Sequence, residues 1–174
     1  MTDLDLMTRL GRVGTPTHSG SSALGIMVAL DIDVTTLCPS LDLGPIFALG
    51  EGLAAHPRVR GLTFRNDTGH WNTGSEYVDG LYWKVEYVGD DDAIWSLDLW
   101  FLEAGTTQYD LIAMETLPAR LDDSKRATIV RIKEALADRT PQVRGYQVID
   151  GVLDHDIRTA DELLAHLATA EASR

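Results

Sequence analysis

Asp31 and Asp33 lie two residues apart in the run Ala29-Leu30-Asp31-Ile32-Asp33-Val34-Thr35. Alternating apolar and polar residues read as a β-strand, whose side chains point to opposite faces in turn. Asp31, Asp33 and Thr35 then share one face, while Leu30, Ile32 and Val34 point into a core. Two carboxylates spaced this way stand about 6–7 Å apart and repel each other. A divalent cation between them relieves that cost. Magnesium suits the role because it takes carboxylate oxygens and shares its remaining sites with phosphate. A third acid occurs in Trp95-Ser96-Leu97-Asp98-Leu99-Trp100-Phe101. Leu97, Leu99 and Phe101 form one face of this second strand, and Asp98 lies on the other. Aspartate is a poor strand former, and a local conflict of this kind tends to mark a functional site. Asp31, Asp33 and Asp98 are the candidate catalytic carboxylates and metal ligands. The plainer reading is exposed acids on an edge strand.

The elements that position these acids follow from periodicity and punctuation. Residues 3–10 read as a short amphipathic helix, and 15–19 as a strand. Gly20-Ser21 forms a turn, with Ser21 or Ser22 capping a brief helix to Met27. The Asp31/Asp33 strand covers 29–37. Ser40 caps a helix to about His56, with Pro45 in its first turn and Pro57 closing it. A strand over 58–65 precedes a loop over 66–79. Strands over 81–88 and 93–102 form a hairpin around Gly89-Asp90-Asp91-Asp92. Helices follow over 108–117, from Asp122 or Asp123 to near Asp138, and from the capping box at Thr159-Ala160-Asp161-Glu162 onward. The reading is a single α+β domain over 1–174: a mixed sheet flanked by helices in a core over 1–103, and a helical C-terminal extension over 104–174.

The bulk properties set limits. The chain has 174 residues, 44% of them hydrophobic, enough for one sizeable core. No window approaches ~18 uninterrupted apolar residues, so no membrane span is expected. The acidic start Met1-Thr2-Asp3-Leu4-Asp5-Leu6 lacks the features of a signal peptide. The single Cys38 has no internal disulfide partner, and the expected location is the cytoplasm. The net charge of -12 argues against nucleic acid as a partner, although plain solubility is the commoner reason for an acidic surface. The aromatic residues cluster between Trp71 and Tyr109, which marks that stretch as ligand-facing.

The order Gly20-Ser21, then Asp31-x-Asp33, then an isolated Asp98 on a later strand resembles the nucleotidyltransferase-fold superfamily, which includes the antibiotic and minimal nucleotidyltransferases. The wider segment Ser19-Gly20-Ser21-Ser22-Ala23-Leu24-Gly25 through the Asp-Ile-Asp-Val strand looks like a little-characterised bacterial branch of it. The resemblance covers residues 15–103. It implies that Gly20, Ser21 and Ser22 meet the phosphates of an NTP, with ATP the expected donor. A glycine-rich turn entering a helix presents N–H groups to an anion, in agreement. The resemblance also implies that Asp31 and Asp33 hold two magnesium ions, with Asp98 as the third carboxylate. The reaction implied moves a nucleoside monophosphate to a hydroxyl or amine of a small molecule or a protein side chain. The chain departs from the superfamily in one respect: the linker Ala23–Leu30 is apolar, with no Arg or Lys between Gly20 and Asp33. The basic partner of the triphosphate must come from elsewhere.

Lys84, in Tyr82-Trp83-Lys84-Val85-Glu86, could touch phosphate, or could form a cross-strand pair with Asp98 or Glu86. Lys125, Arg126, Arg131 and Lys133 lie on one helix and read mainly as a solvated face. His18 reads as a half-buried structural residue. In the 66–79 loop, Trp71 could stack on a ring and Asp67 or Glu76 could orient an acceptor, or Asp67-Thr68-Gly69 simply builds a turn. Tyr146–Asp156, with His155 between Asp154 and Asp156, reads as a turn before the last helix. Two other functions compete: a catalytically silent protein of the same fold that binds a nucleotide or a protein partner, which the apolar linker favours, and a glycosyltransferase using Asp-x-Asp to hold a metal-bound nucleotide sugar.

Overall fold

The structure is a computed structural model that describes residues 2–73, 78–139 and 143–172; the candidate Glu76 lies outside the described residues. The chain forms two compact units, residues 1–23 with 30–115 and residues 24–29 with 116–174.

The first unit is built on a five-stranded mixed sheet of order β1-β2-β5-β4-β3. Its strands are β1 (Thr15–Ser19), β2 (Asp31–Cys38), β3 (Val59–Asp67), β4 (Gly80–Val88) and β5 (Ile94–Glu103). β2 and β5 run parallel, whereas the β1–β2, β4–β5 and β3–β4 pairs are antiparallel. The unit also contains α1 (Leu6–Leu10), α2 (Gly20–Ala23) and α3 (Leu43–Ala54), and α4 (Tyr109–Thr116) follows the sheet. Period-two patterning gives the sheet two unlike faces. Val34, Leu81, Trp83, Val85, Tyr87, Leu97, Leu99 and Phe101 are buried in one cluster with Leu10 of α1 and Ile46, Leu49 and Leu53 of α3. Gly50 lets α3 approach closely, since a Cβ there would stand 2.7 Å from Trp83 Cζ2. The Trp83 indole N–H donates to the Ile46 carbonyl at 3.3 Å, so this large ring is buried with its one donor satisfied.

Several local expectations need correction. Asp42, not Ser40, caps α3, accepting from the Gly44 N–H at 2.9 Å. Leu30 precedes β2 and is exposed. α2 is four residues long and ends at Ala23, not Met27. The strands over 58–65 and 29–37 are shifted by one or two residues. Trp83 and Tyr87 belong to the core, so only part of the aromatic stretch faces anything else.

In the second unit, α5 (Asp123–Ala135), α6 (Gly145–Asp154) and α7 (Ala160–Ala172) bury Ile129, Ile132, Val148, Val152 and Leu163, together with Leu24 and Ile26 of the 24–29 strap. Lys133 Nζ donates to the Ile26 carbonyl at 2.9 Å. Two of the linker's apolar residues, Leu24 and Ile26, thus belong to the core of the helical unit, whereas Val28 and Leu30 are exposed. Asp122 caps α5 by accepting from the Lys125 N–H at 2.8 Å. Thr159 Oγ1 accepts from the Glu162 N–H at 3.3 Å and opens α7. α6 replaces the turn expected over 146–156. Two glycines weaken its helix propensity, but packing overrides this. At Gly151 a Cβ would stand 2.8 Å from Leu163 Cδ1, so glycine lets Leu163 pack directly on α6.

Tyr87 donates a 2.6 Å hydrogen bond to Asp3, and this bond is the main cause that holds the Asp3 carboxyl below its ordinary value. A lowered folded-state pKa stabilises above the unfolded value of about 3.9 and is lost as acid protonates the group. Tyr87→Phe keeps the ring packing and removes the bond. It should lower Tm at pH 7, and the difference from the parent should close on titration below about pH 4. Calorimetric melts across pH check this, and a pH-independent difference would contradict it.

Candidate active site

The parallel register of β2 and β5 pairs Asp31 with Ser96, Asp33 with Asp98 and Thr35 with Trp100. Paired residues share a face, so the three acids project from the sheet face opposite the core. One carboxylate oxygen from each of Asp31, Asp33 and Asp98 lies within 4.8 Å of the others, and all three residues are half-buried. At about 4 Å two unit charges repel by ~1 kcal/mol in water and ~4 kcal/mol near a protein surface. Three hard oxygen donors converging this closely fit a magnesium-sized ion in donor type and number.

Gly20 closes the site on the β1 side. Its φ is +70°, and a Cβ there would stand 2.0 Å from Asp33 Oδ2. Both facts require glycine. The turn therefore packs directly against a candidate metal ligand. α2 has four residues, too few for a substantial macrodipole, so any anion affinity rests on the N–H groups of the turn itself. Ser19, on the same face, pairs with Asp33 and is buried. Ser22 Oγ is 2.8 Å from His18 Nε2. His18 is exposed on the edge strand β1 rather than half-buried as expected, and it braces the turn.

On its other side Asp98 is held by Tyr82 and Ser96, neither of which the sequence pattern singles out. Tyr82 O–H donates to Asp98 Oδ1 at 2.5 Å, and Ser96 Oγ lies 3.3 Å from the same oxygen. Burial first, and then the bond to Asp98, raise the Tyr82 phenol well above its ordinary range, so it stays a donor. Lys84 pairs with Asp98 in the β4–β5 register but is exposed, and it makes no ion pair among the described residues. Asp98 thus sits among polar neighbours rather than apolar ones. Tyr82 and Ser96 could have been found by extending the period-two count from Lys84 and Asp98.

The other candidates have these contacts. Trp71 is exposed in a short 3-10 helix against His70. Asp67 pairs with Arg65 at 2.6 Å. The four α5 cations bond within the helical unit: Lys125 to the Arg120 carbonyl, Arg126 to the Leu121 carbonyl, Arg131 to Thr128 and Lys133 to the Ile26 carbonyl.

No protein-family model matches the chain, and no curated protein does. Solved structures do match. A cytoplasmic RNA terminal U-transferase aligns with a TM-score of 0.55 and 16% identity, over 87% of this chain and 46% of that one. Cid1 aligns at TM-score 0.54 and 14% identity over the same shares, in complex with the UTP analogue UMPNPP and with its short product ApU. The chain has the nucleotidyltransferase fold. It spans less than half the length of these proteins, and the likeness extends to the fold and not to any bacterial branch.

Clustered like charges predict a measurable response. Asp33→Asn keeps the shape packed against Gly20 and removes one charge. It should raise Tm in metal-free buffer, at about 2–4 °C per kcal/mol of relieved repulsion, and should abolish the Tm increase that millimolar magnesium gives the parent. A lower metal-free Tm in scanning fluorimetry would show that Asp33 is held by structural partners instead.

Proposed function

We propose that the chain is a metal-dependent nucleotidyltransferase that moves a nucleoside monophosphate from an NTP to an acceptor hydroxyl or amine. The convergence of Asp31, Asp33 and Asp98 beside the Gly20 turn, on this fold, is the observation that carries the reading. Asp31 and Asp33 would hold the magnesium ions, with Asp98 completing the set. When bound, the ions supply charge neutralisation to the transferred phosphoryl group and the leaving pyrophosphate. Gly20 and Ser21 present N–H groups to the phosphates, and Ser22, braced by His18, shapes the turn. Tyr82 fixes one Asp98 oxygen, leaving the other to take the proton of the attacking group. The protein's work is then positioning and charge stabilisation.

The net charge does not decide the acceptor. The similar proteins include an RNA terminal U-transferase and a Cid1 complex with ApU, so nucleic acid belongs among the acceptors to be tested. UTP belongs beside ATP among the donors. Burial of Leu24 and Ile26 in the helical unit accounts for part of the apolar linker, and transfer measured against binding alone separates the enzyme from a silent protein of the same fold.

The test is incubation with each α-labelled NTP and magnesium across small-molecule, protein and oligonucleotide acceptors. Label should move to an acceptor with release of pyrophosphate, and Asp33→Asn and Asp98→Asn should each lower the rate at least about a hundredfold. Nucleotide binding without any transfer would overturn the enzymatic reading. Ser21→Ala keeps the backbone N–H that the turn offers, so it should change NTP affinity by no more than about twofold in calorimetry. Gly20 variants are unsuitable here, because any Cβ displaces Asp33.

A further inference from the structure

Beyond Asp98, away from the Gly20 turn, the same sheet face carries a stacked group of side chains. Tyr82 and Trp100 pair across β4 and β5, with ring centroids 4.7 Å apart. Arg65 pairs with Tyr82 across β3 and β4. Its guanidinium carbon lies 4.7 Å from the Tyr82 ring centroid and 5.3 Å from that of Trp100. Asp67 accepts from Arg65 Nε at 2.6 Å, and the Arg65 side chain is still 54% exposed. The guanidinium is therefore held in place by rings beneath and a carboxylate beside it. Lys84, exposed on the same face, adds a second cation.

We propose that Arg65, seated on Tyr82 and Trp100, is the acceptor platform, and that the acceptor it takes is a nucleotide: a planar ring with a phosphate beside it. The inference rests on the transferase reading. In an in-line displacement, the acceptor oxygen forms its bond to the α-phosphorus on the side opposite the leaving group. The bond from that phosphorus to the bridging oxygen breaks, pyrophosphate departs with the electron pair, and the acceptor proton passes to a carboxylate. The phosphate turn lies on the β1–β2 side of the carboxylates, so the acceptor approaches from the β4–β3 side, where the platform stands. The Tyr82 hydroxyl bonds to Asp98, so the platform reaches the reacting centre through one side chain. A planar guanidinium is a stacking surface for a base and a bidentate donor to phosphate, whereas a lysine ammonium offers only the charge.

The experiment compares the parent with Arg65→Lys and Trp100→Phe, using adenosine 5′-monophosphate, pentaadenylate and kanamycin as acceptors with magnesium and labelled NTP. Label should move to adenosine monophosphate, pentaadenylate or both, the first indicating a free nucleotide and the second a strand end. Arg65→Lys should raise the acceptor KM about tenfold or more, with kcat and the Tm increase from magnesium plus NTP unchanged; Trp100→Phe, which keeps a ring, should raise it less. Labelling of kanamycin alone, or an unchanged KM in Arg65→Lys, overturns the platform while leaving the transferase reading intact. In parallel, calorimetry titrates the two nucleotides into protein loaded with magnesium and a non-hydrolysable NTP. Loss of affinity in Arg65→Lys supports the platform without turnover, and no binding to the parent overturns it. Failure of the NTP itself to bind the parent is the separate result that removes the transferase reading.

Discussion

The pairing of β2 with β5 is the constraint on which the rest depends. Its parallel register sets Asp33 beside Asp98 and Asp31 one step behind. This puts three negative charges within 4.8 Å on a half-buried surface. Such an arrangement is electrostatically costly without a cation. The surroundings are consistent with a site that tolerates the cost: donors from Tyr82 and Ser96 reach Asp98, and the turn at Gly20 has no side chain where Asp33 needs the space.

The sheet holds this register because its opposite face is core. Val34, Leu97 and Leu99 alternate with the acids and are at most 1% exposed. A slip of one residue would bury Asp33 and Asp98 and expose these side chains, so hydrophobic burial enforces the alignment of the charged face. The same alternation makes β4 serve two ends. Trp83, Val85 and Tyr87 pack inward, while Tyr82 and Lys84 stand beside Asp98. The cluster of acids and the core are thus two faces of one hydrogen-bonded ladder.

The segment between the turn and β2 shows how local composition can mislead when read without its packing. Its lack of basic residues suggests weakened phosphate binding only if it lies at the site. Leu24 and Ile26 are buried with the helices of the second unit, where Lys133 donates to the Ile26 carbonyl, while Val28 and Leu30 are exposed. Two of the strap's apolar residues thus answer to the core of the helical unit.

The strands, the two-faced sheet and the candidate acids are legible in the chain alone, because all three are written in period-two alternation over short windows. Asp31, Asp33 and Asp98 stood out as polar residues whose strand neighbours had to be core. Capping motifs placed α5 and α7 for the same local reason. Folding adds what depends on which strands are neighbours: that β5 lies beside β2, that Tyr82 rather than Lys84 holds Asp98, that Arg65 rests on Tyr82 and Trp100, and that a Cβ at position 20 would meet Asp33. α6 also belongs to this second class, since two glycines count against a helix until Leu163 is packed on one of them. Tyr82 and Asp98, 16 residues apart, and Asp33 and Asp98, 65 apart, meet only once strand order and register are set, and no local pattern encodes that order.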